Sequence, residues 1–152
     1  MEIRNVTVDD YAAVDCLMQK LHKIHVLGRP DLFIDLEHPY SKEEFIEMID
    51  KEIFLCLVAE EDRNVIGLCF VELRERSAMV KMRTAYVNDL IVDVNYRHKG
   101  IAKALFQEAE KRAKALGAKR LDLMLWAFNE EALHFYESLG MKPQRYILEK
   151  RL

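Results

Sequence analysis

The chain has 152 residues, 51% of them apolar, with 23 basic against 26 acidic side chains and a formal net charge of −3. That length suits one domain spanning residues 1–152, able to bury a core without metal or disulfide staples, and that apolar share excludes a disordered chain. The mild acidity excludes a generically basic nucleic-acid binder, and no apolar run reaches bilayer length, so neither nucleic acid nor membrane is an expected partner.

The first residues, Met1-Glu2-Ile3-Arg4, carry no signal-peptide core. Glu2 to Val8 reads as a short strand. Thr7 and Asp10 have capping-box spacing, and Val14, Leu17, Met18, Leu21 and Ile24 then recur at helical spacing to about Val26. Gly28-Arg29-Pro30 stops that helix. Ser41 and Glu44 repeat the capping signal before a second helix carrying Phe45, Ile46 and Ile49. Ile53 to Ala59 is apolar on both faces, as a central strand should be. A turn at Glu61-Asp62-Arg63-Asn64 leads to a paired strand, Val65 to Leu73.

A third strand lies within Lys81 to Asp93, centred on Val87 to Val92. A polar loop, Asn95 to Lys99, follows it, and then a helix from Ile101 to Leu116 closed by Gly117. Arg120 to Trp126 alternates as a strand, Asn129 to Leu139 is a short helix closed by Gly140, and Arg145 to Arg151 reads as a final strand. The order β α α β β β α β α β defines a mixed α/β, α+β-like domain. Three successive strands imply an antiparallel meander, and the later strand-helix-strand unit implies a parallel pair joined right-handedly.

Charge is unevenly placed. From Asp31 to Glu75, thirteen acidic and four basic residues leave −9, whereas Asn95 to Trp126 carries +5 from eight basic and three acidic residues. The acidic stretch favours a cationic partner and the basic one an anion. Three cysteines, Cys16, Cys56 and Cys69, are odd in number and widely spaced, so a reducing cytoplasm is the simplest reading. Cys56 and Cys69 lie in apolar strands and read as small core residues. His22 and His25 share a helix face and His38 lies nearby, but no carboxylate or cysteine pattern accompanies them, so no metal is expected.

The most informative stretch runs from Asp89 to Ala102. A strand feeds a basic loop, and the loop feeds a helix that starts with Gly100 and Ala102. A helix start leaves its first N–H groups unpaired and positively polarised, and small residues let a pyrophosphate approach them. Arg97 and Lys99 add point charges. The spacing is neither a Walker loop nor a three-glycine dinucleotide fingerprint.

Residues Asn88 to Lys142 resemble the GNAT family of acyl-CoA-dependent N-acetyltransferases. Arg97 to Ala102 is similar to that family's Arg/Gln-x-x-Gly-x-Gly/Ala pyrophosphate loop, with His98 where many members carry glycine. Asn129 to Met141 is similar to its Asn-x-x-Ala-x-x-Phe-Tyr-x-x-x-Gly-Phe/Met segment. The resemblance implies a mostly antiparallel central sheet with a splayed parallel strand pair and flanking helices. The pantetheine arm of acetyl-CoA, the co-substrate, would lie in the splay against the backbone of Leu90, Ile91 and Val92, with one strand N–H near the acetyl oxygen. Arg97, His98, Lys99, Gly100, Ile101 and Ala102 would hold the pyrophosphate, Lys103 an outer phosphate and Asn129 the pantetheine.

Tyr136 would sit near the thioester sulfur as general acid, while its neighbour Phe135, spaced from Ala132 and Leu139, reads as core. An acceptor amine with a pKa of about 10.4 must lose a proton before it attacks. Many relatives carry glutamate where this chain has Asn88, which cannot act as a base, so Asp89 and Glu72 are the candidates. The resemblance further implies an acceptor pocket between the first two helices, taking a small-molecule or peptide amine, with a homodimer open to this fold. A non-catalytic CoA-binding sensor is the rival reading. Arg29 and Asp31 read as holding the loop through local bonds.

Overall fold

A computed structural model describes residues 1–75 and 80–152. Five strands form one sheet in the order β1-β2-β3-β4-β5: β1 Glu2–Asn5, β2 Phe54–Glu61, β3 Asn64–Glu75, β4 Arg83–Val92 and β5 Arg120–Leu123. β1 to β4 pair antiparallel, and β4 and β5 pair parallel. The helices are α1 Tyr11–Gly28, α2 Lys42–Ile49, α3 Ile101–Ala115 and α4 Glu130–Ser138. This is the mixed sheet expected from the sequence.

Strand alternation sorts the core onto two faces. Leu57, Ala59, Ile66, Cys69, Val71, Ala85 and Val87 meet Ile101, Leu105, Phe106, Ala109 and Ala113 of α3. On the other face Cys56, Val58, Leu68, Phe70 and Ile91 meet Val14, Leu17 and Met18 of α1 and Phe45 and Met48 of α2. Each fully buried Leu or Phe contributes about 1.5–3 kcal/mol against leaving it exposed. Helix α3 lies close on β3 at Gly67, where a Cβ would stand 3.0 Å from the Ile91 carbonyl oxygen and 3.1 Å from Leu105 Cδ1.

The helix signals in the sequence are used as expected. Ser41 and Glu44 close a reciprocal capping box at α2. Gly117 and Gly140, at φ +90° and +86°, terminate α3 and α4. Their hydrogen bonds, Ala118 N–H to Ala113 O and Met141 N–H to Tyr136 O, are the long bonds of a Schellman cap. Asp10 goes beyond capping: it takes a forked pair of hydrogen bonds from Arg4, tying β1 to the start of α1.

Two expectations are corrected. β5 ends at Leu123 instead of Trp126, because its pairing with β4 stops at Val87–Leu123 and leaves Leu125 and Trp126 without a ladder. Residues 141–152 form no strand. Tyr146, Ile147 and Leu148 are 83%, 74% and 91% exposed. Their apolar run has strand character, but a strand also needs an edge to pair with. Here the charged residues beyond it decide the path: Glu149 pairs with Arg29, and Arg151 with Asp31, holding the segment against the end of α1.

Candidate active site

The site begins with an irregularity in β4. In its pairing with β3, Val87 faces Val71 and Asp89 faces Phe70, so Asn88 is an extra residue bulged out of the ladder. A bulge shifts the period-two alternation by one. Before it, Ala85 and Val87 point to the α3 face. After it, Leu90 and Val92 take that face, while Asp89 and Ile91 turn toward α1 and α2. The bulge therefore brings Asp89 out of the α3 core and onto the α1–α2 side of the sheet.

The parallel β4–β5 ladder stops at Val87–Leu123. Beyond it, among the described residues, Asn88 to Val92 run on without a strand on that side, and a cavity of about 650 Å³ opens beside Asn88, Asp89 and Leu90. Its walls include Tyr40, Asp89 and Leu90, together with Trp126, Asn129 and Tyr136 from the β5–α4 side. Ile91 and Val92 are buried on opposite faces below.

Burial pushes the Asp89 carboxyl up to about 6 from an ordinary 3.8, and a hydrogen bond donated by the Tyr40 hydroxyl at 3.0 Å offsets part of that rise. Glu72 lines the same cavity, but its carboxylate is paired with Arg74 at 2.7 Å. Asn88 is exposed, and its side-chain oxygen accepts from Arg74 at 3.4 Å. Of the two candidate bases, Asp89 has the titration suited to taking a proton near neutral pH.

Helix α4 supplies the other side. Asn129 is its N-cap, with Oδ1 accepting the Ala132 N–H at 3.2 Å. Tyr136 packs on the α3 core, its ring 5.8 Å from Phe106. Burial raises its hydroxyl pKa above the ordinary value of 10, and nearby Cys69 and Asp89 add to the rise. The expectation for Phe135 is revised. Both rings are half-buried, but it is Tyr136 that packs on the α3 core, while Phe135 meets Tyr136 edge-on at 5.1 Å.

The phosphate-loop candidates lie at the C-terminal end of β4. Arg97 donates from Nε to the Val92 carbonyl at 3.3 Å. Lys99 sits 5.0 Å over the Tyr96 ring, and His98, Lys99 and Lys103 are exposed. Gly100 is the N-cap of α3 at φ +78°, with nothing within 4 Å of where a Cβ would be, and no side chain caps the helix. Ile101 anchors the first turn in the core, and Ala102 is half-buried beside it. His98 also adopts positive φ, +60°, which explains why glycine suits that position. The cavity lies beside Asn88, Asp89 and Leu90, and the loop follows β4 along the chain, so the two lie in succession along one candidate track. Its features suit an elongated ligand: open helix N–H groups and basic side chains at one end, unpaired strand backbone along the middle, and Asp89 and Tyr136 at the other end.

The remaining sequence candidates have local partners. His22 meets the Ile34 carbonyl, His25 stacks on Phe33, and His38 pairs with Asp15. Arg29 forks onto both Asp31 and Glu149, in line with a loop-holding role. Cys56 and Cys69 are buried, and burial pushes each thiol up to about 12. Two elements of the site escape sequence reading. Tyr40 sits in a loop with no motif, its one signal being its place just before the α2 cap. The bulge at Asn88 has no signature in residue type.

Comparison with known proteins agrees with this architecture. The acetyltransferase (GNAT) family model matches residues 19–141, and the chain belongs to that family. Among its relatives, an uncharacterized N-acetyltransferase of Methanocaldococcus jannaschii is 24% identical over 145 residues, 95% of this chain. The chain spans 62% of that relative's length. A solved mutant of the BH1408 protein of Bacillus halodurans is 31% identical with a TM-score of 0.96, covering 100% of this chain and 99% of that one. The fold is also shared with the aminoglycoside N-acetyltransferase AAC(6')-Iy, solved in complex with CoA, at 14% identity and a TM-score of 0.76 over 99% of this chain and 98% of that one.

Proposed function

We propose that this chain moves an acetyl group from acetyl-CoA to a primary amine by direct attack in a ternary complex. The observation that carries this reading is the convergence of Asp89 and Tyr136 on one cavity beside the unpaired half of β4. The CoA complex of a protein with the same fold supports an acyl-CoA in that track. Arg97 to Ala102 and the α3 N-terminus would take the pyrophosphate, with Lys103 toward an outer phosphate. Leu90, Ile91 and Val92 offer strand backbone to the pantetheine. Asn129 keeps its amide NH₂ for the same arm, since its oxygen is spent on the α4 cap.

Proton flow follows from the two side chains. Asp89 accepts the proton that the acceptor ammonium must lose. The amine nitrogen bonds to the acetyl carbon as the carbon–sulfur bond breaks, Tyr136 gives its proton to the departing thiolate, and the second proton that the nitrogen sheds on becoming an amide restores the Tyr136 hydroxyl through solvent. The products are an acetamide and CoA with a free thiol. Cys56 and Cys69, held as neutral buried thiols, are unsuited to a covalent acetyl relay. Glu44, Glu47 and Glu72 on the cavity wall favour a cationic acceptor. A small amine fits first. A basic peptide is the second reading, because Glu44 and Glu47 sit on an exposed face of α2 that a larger acceptor would reach.

The test is thiol release from acetyl-CoA by purified protein against small amines, aminoglycosides and basic peptides. Release above the acceptor-free rate assigns the acceptor class. A flat panel, with CoA binding intact by calorimetry, would favour a CoA sensor instead.

A further inference from the structure

We propose that Tyr40 is a positioning residue for Asp89, its hydroxyl fixing the carboxylate toward the acceptor side of the cleft. The proposal rests on the reading of Asp89 as the base and adds a residue to it. Tyr40 OH donates to Asp89 Oδ2 at 3.0 Å, across 49 residues of sequence. Three independent devices set where that hydroxyl lies. Tyr40 immediately precedes the α2 N-cap Ser41, whose reciprocal box with Glu44 fixes the chain's entry into the helix. Tyr40 packs on the same core as Phe45, four residues inside the helix, the arrangement of a hydrophobic staple. Tyr11, at the start of α1, donates its own hydroxyl to the Tyr40 carbonyl at 3.0 Å while its ring lies 5.4 Å from Phe45. The hydroxyl is therefore held by α1 and α2 and spends its proton on a residue of β4.

A single donor does two things to a carboxylate in this position. It favours the charged form, and it occupies one oxygen while leaving the other for a ligand. Without it, the bulge alone would set the direction of Asp89, and χ rotation would be free to turn the carboxylate. The other groups facing the cavity beside Asp89 are Cys56 from β2 and Cys69 from β3 as neutral thiols, Tyr136 from α4, His25 from α1, the like charges Glu44 and Glu47 from α2 and Glu72 from β3, and one cation past α2, Lys51, which pairs with Glu47 at 3.9 Å.

The test is direct titration of Asp89 in the full chain by carboxyl ¹³C NMR, with Asp89→Asn to assign the signal. Tyr40→Phe is expected to move the Asp89 midpoint upward by roughly half to one pH unit, since a bond favouring the carboxylate is removed. A purely packing role would leave the midpoint in place, and an unchanged or lowered midpoint overturns the proposal. A second readout needs no variant. In the wild type, the Tyr40 ring Cζ signal must titrate with the same midpoint as Asp89, and its indifference to that titration would also refute the contact. The base reading is tested apart from this, by the rate of Asp89→Asn on an amine found in the acceptor panel. A shifted midpoint in Tyr40→Phe with full activity in Asp89→Asn keeps the positioning contact and removes the base. Lost activity in Asp89→Asn with no shift in Tyr40→Phe does the reverse.

Discussion

Asp89 and Tyr136 reach one cavity from opposite faces of the sheet. Asp89 lies on the face that packs α1 and α2, turned there by the bulge at Asn88, and Tyr136 packs with α3 on the other. The two meet only because β4 and β5 part after Val87 and Leu123. In the proposed reaction this separation would let Asp89 serve the amine from one side while Tyr136 serves the leaving thiolate from the other.

The donor side gives the first prediction. Tyr136 stays protonated through the physiological range because burial raises its hydroxyl pKa. Tyr136→Phe keeps the ring against Phe106 and removes the hydroxyl that would donate the proton. Turnover should fall by about 10²-fold or more, the usual range for general acid catalysis, with CoA affinity by calorimetry unchanged. A variant that kept full turnover would place the leaving-group proton elsewhere.

Asp89 couples activity to stability with a definite sign. Its folded pKa, about 6, lies above the ordinary 3.8. The folded protein therefore binds this proton more tightly than the unfolded chain, so stability from this group falls as pH rises through that window and is fully lost above it. The cost at pH 7.5 is on the order of 3 kcal/mol, from about two units at 1.36 kcal/mol each. Asp89→Asn should raise Tm at pH 7.5, and the gain should shrink toward pH 4. In the wild type, kcat/KM should fall below about pH 6 as the carboxylate is protonated. Thermal melts and a rate profile over pH 4–8 read both.

Much of this was legible in residue patterns. The caps at Ser41, Gly117 and Gly140 are local chemistry, and local chemistry is written in local sequence. The basic loop and the Asn129–Met141 segment carry the family resemblance because each is a short contiguous run whose residue types and spacing are local. What escaped depends on long-range geometry. The bulge at Asn88 is set by how β3 and β4 register, and no residue type marks it. Tyr40 meets Asp89 across 49 residues. The expected strand at 145–151 contains a β-prone apolar run, Tyr146-Ile147-Leu148, but the residues beyond it pair with Arg29 and Asp31, more than a hundred residues away.

The phosphate loop offers a backbone test. Gly100 holds φ +78° in open space, so Gly100→Ala meets no clash and suffers only from left-handed backbone strain, about 1–2 kcal/mol. It should lower Tm by a few degrees and weaken CoA binding more than it weakens binding of a pantetheine fragment lacking the pyrophosphate. His98→Gly relieves the same strain at φ +60° and should leave CoA affinity intact. Equal loss for CoA and the fragment in Gly100→Ala would mean that the loop does not hold the phosphates.

Arg29 links the loop after α1 to residues 149–151. Its guanidinium forks onto Asp31 and Glu149, and it lies 5.4 Å from the ring centre of Trp126, which lines the cavity. Arg151 reinforces the link through Asp31 at 3.2 Å. These ion pairs are partly exposed and open to screening over about 8–10 Å at ordinary salt. Arg29→Ala should therefore speed tryptic cleavage at Arg145 and Lys150 while leaving the sheet intact by circular dichroism. High salt should bring the wild type toward the same cleavage rate. The exposed run Tyr146-Ile147-Leu148 gives the opposite result a clear meaning. If the segment resists trypsin equally with and without Arg29, something other than these charges covers it, and a second copy of the chain becomes the occupant to test by sedimentation.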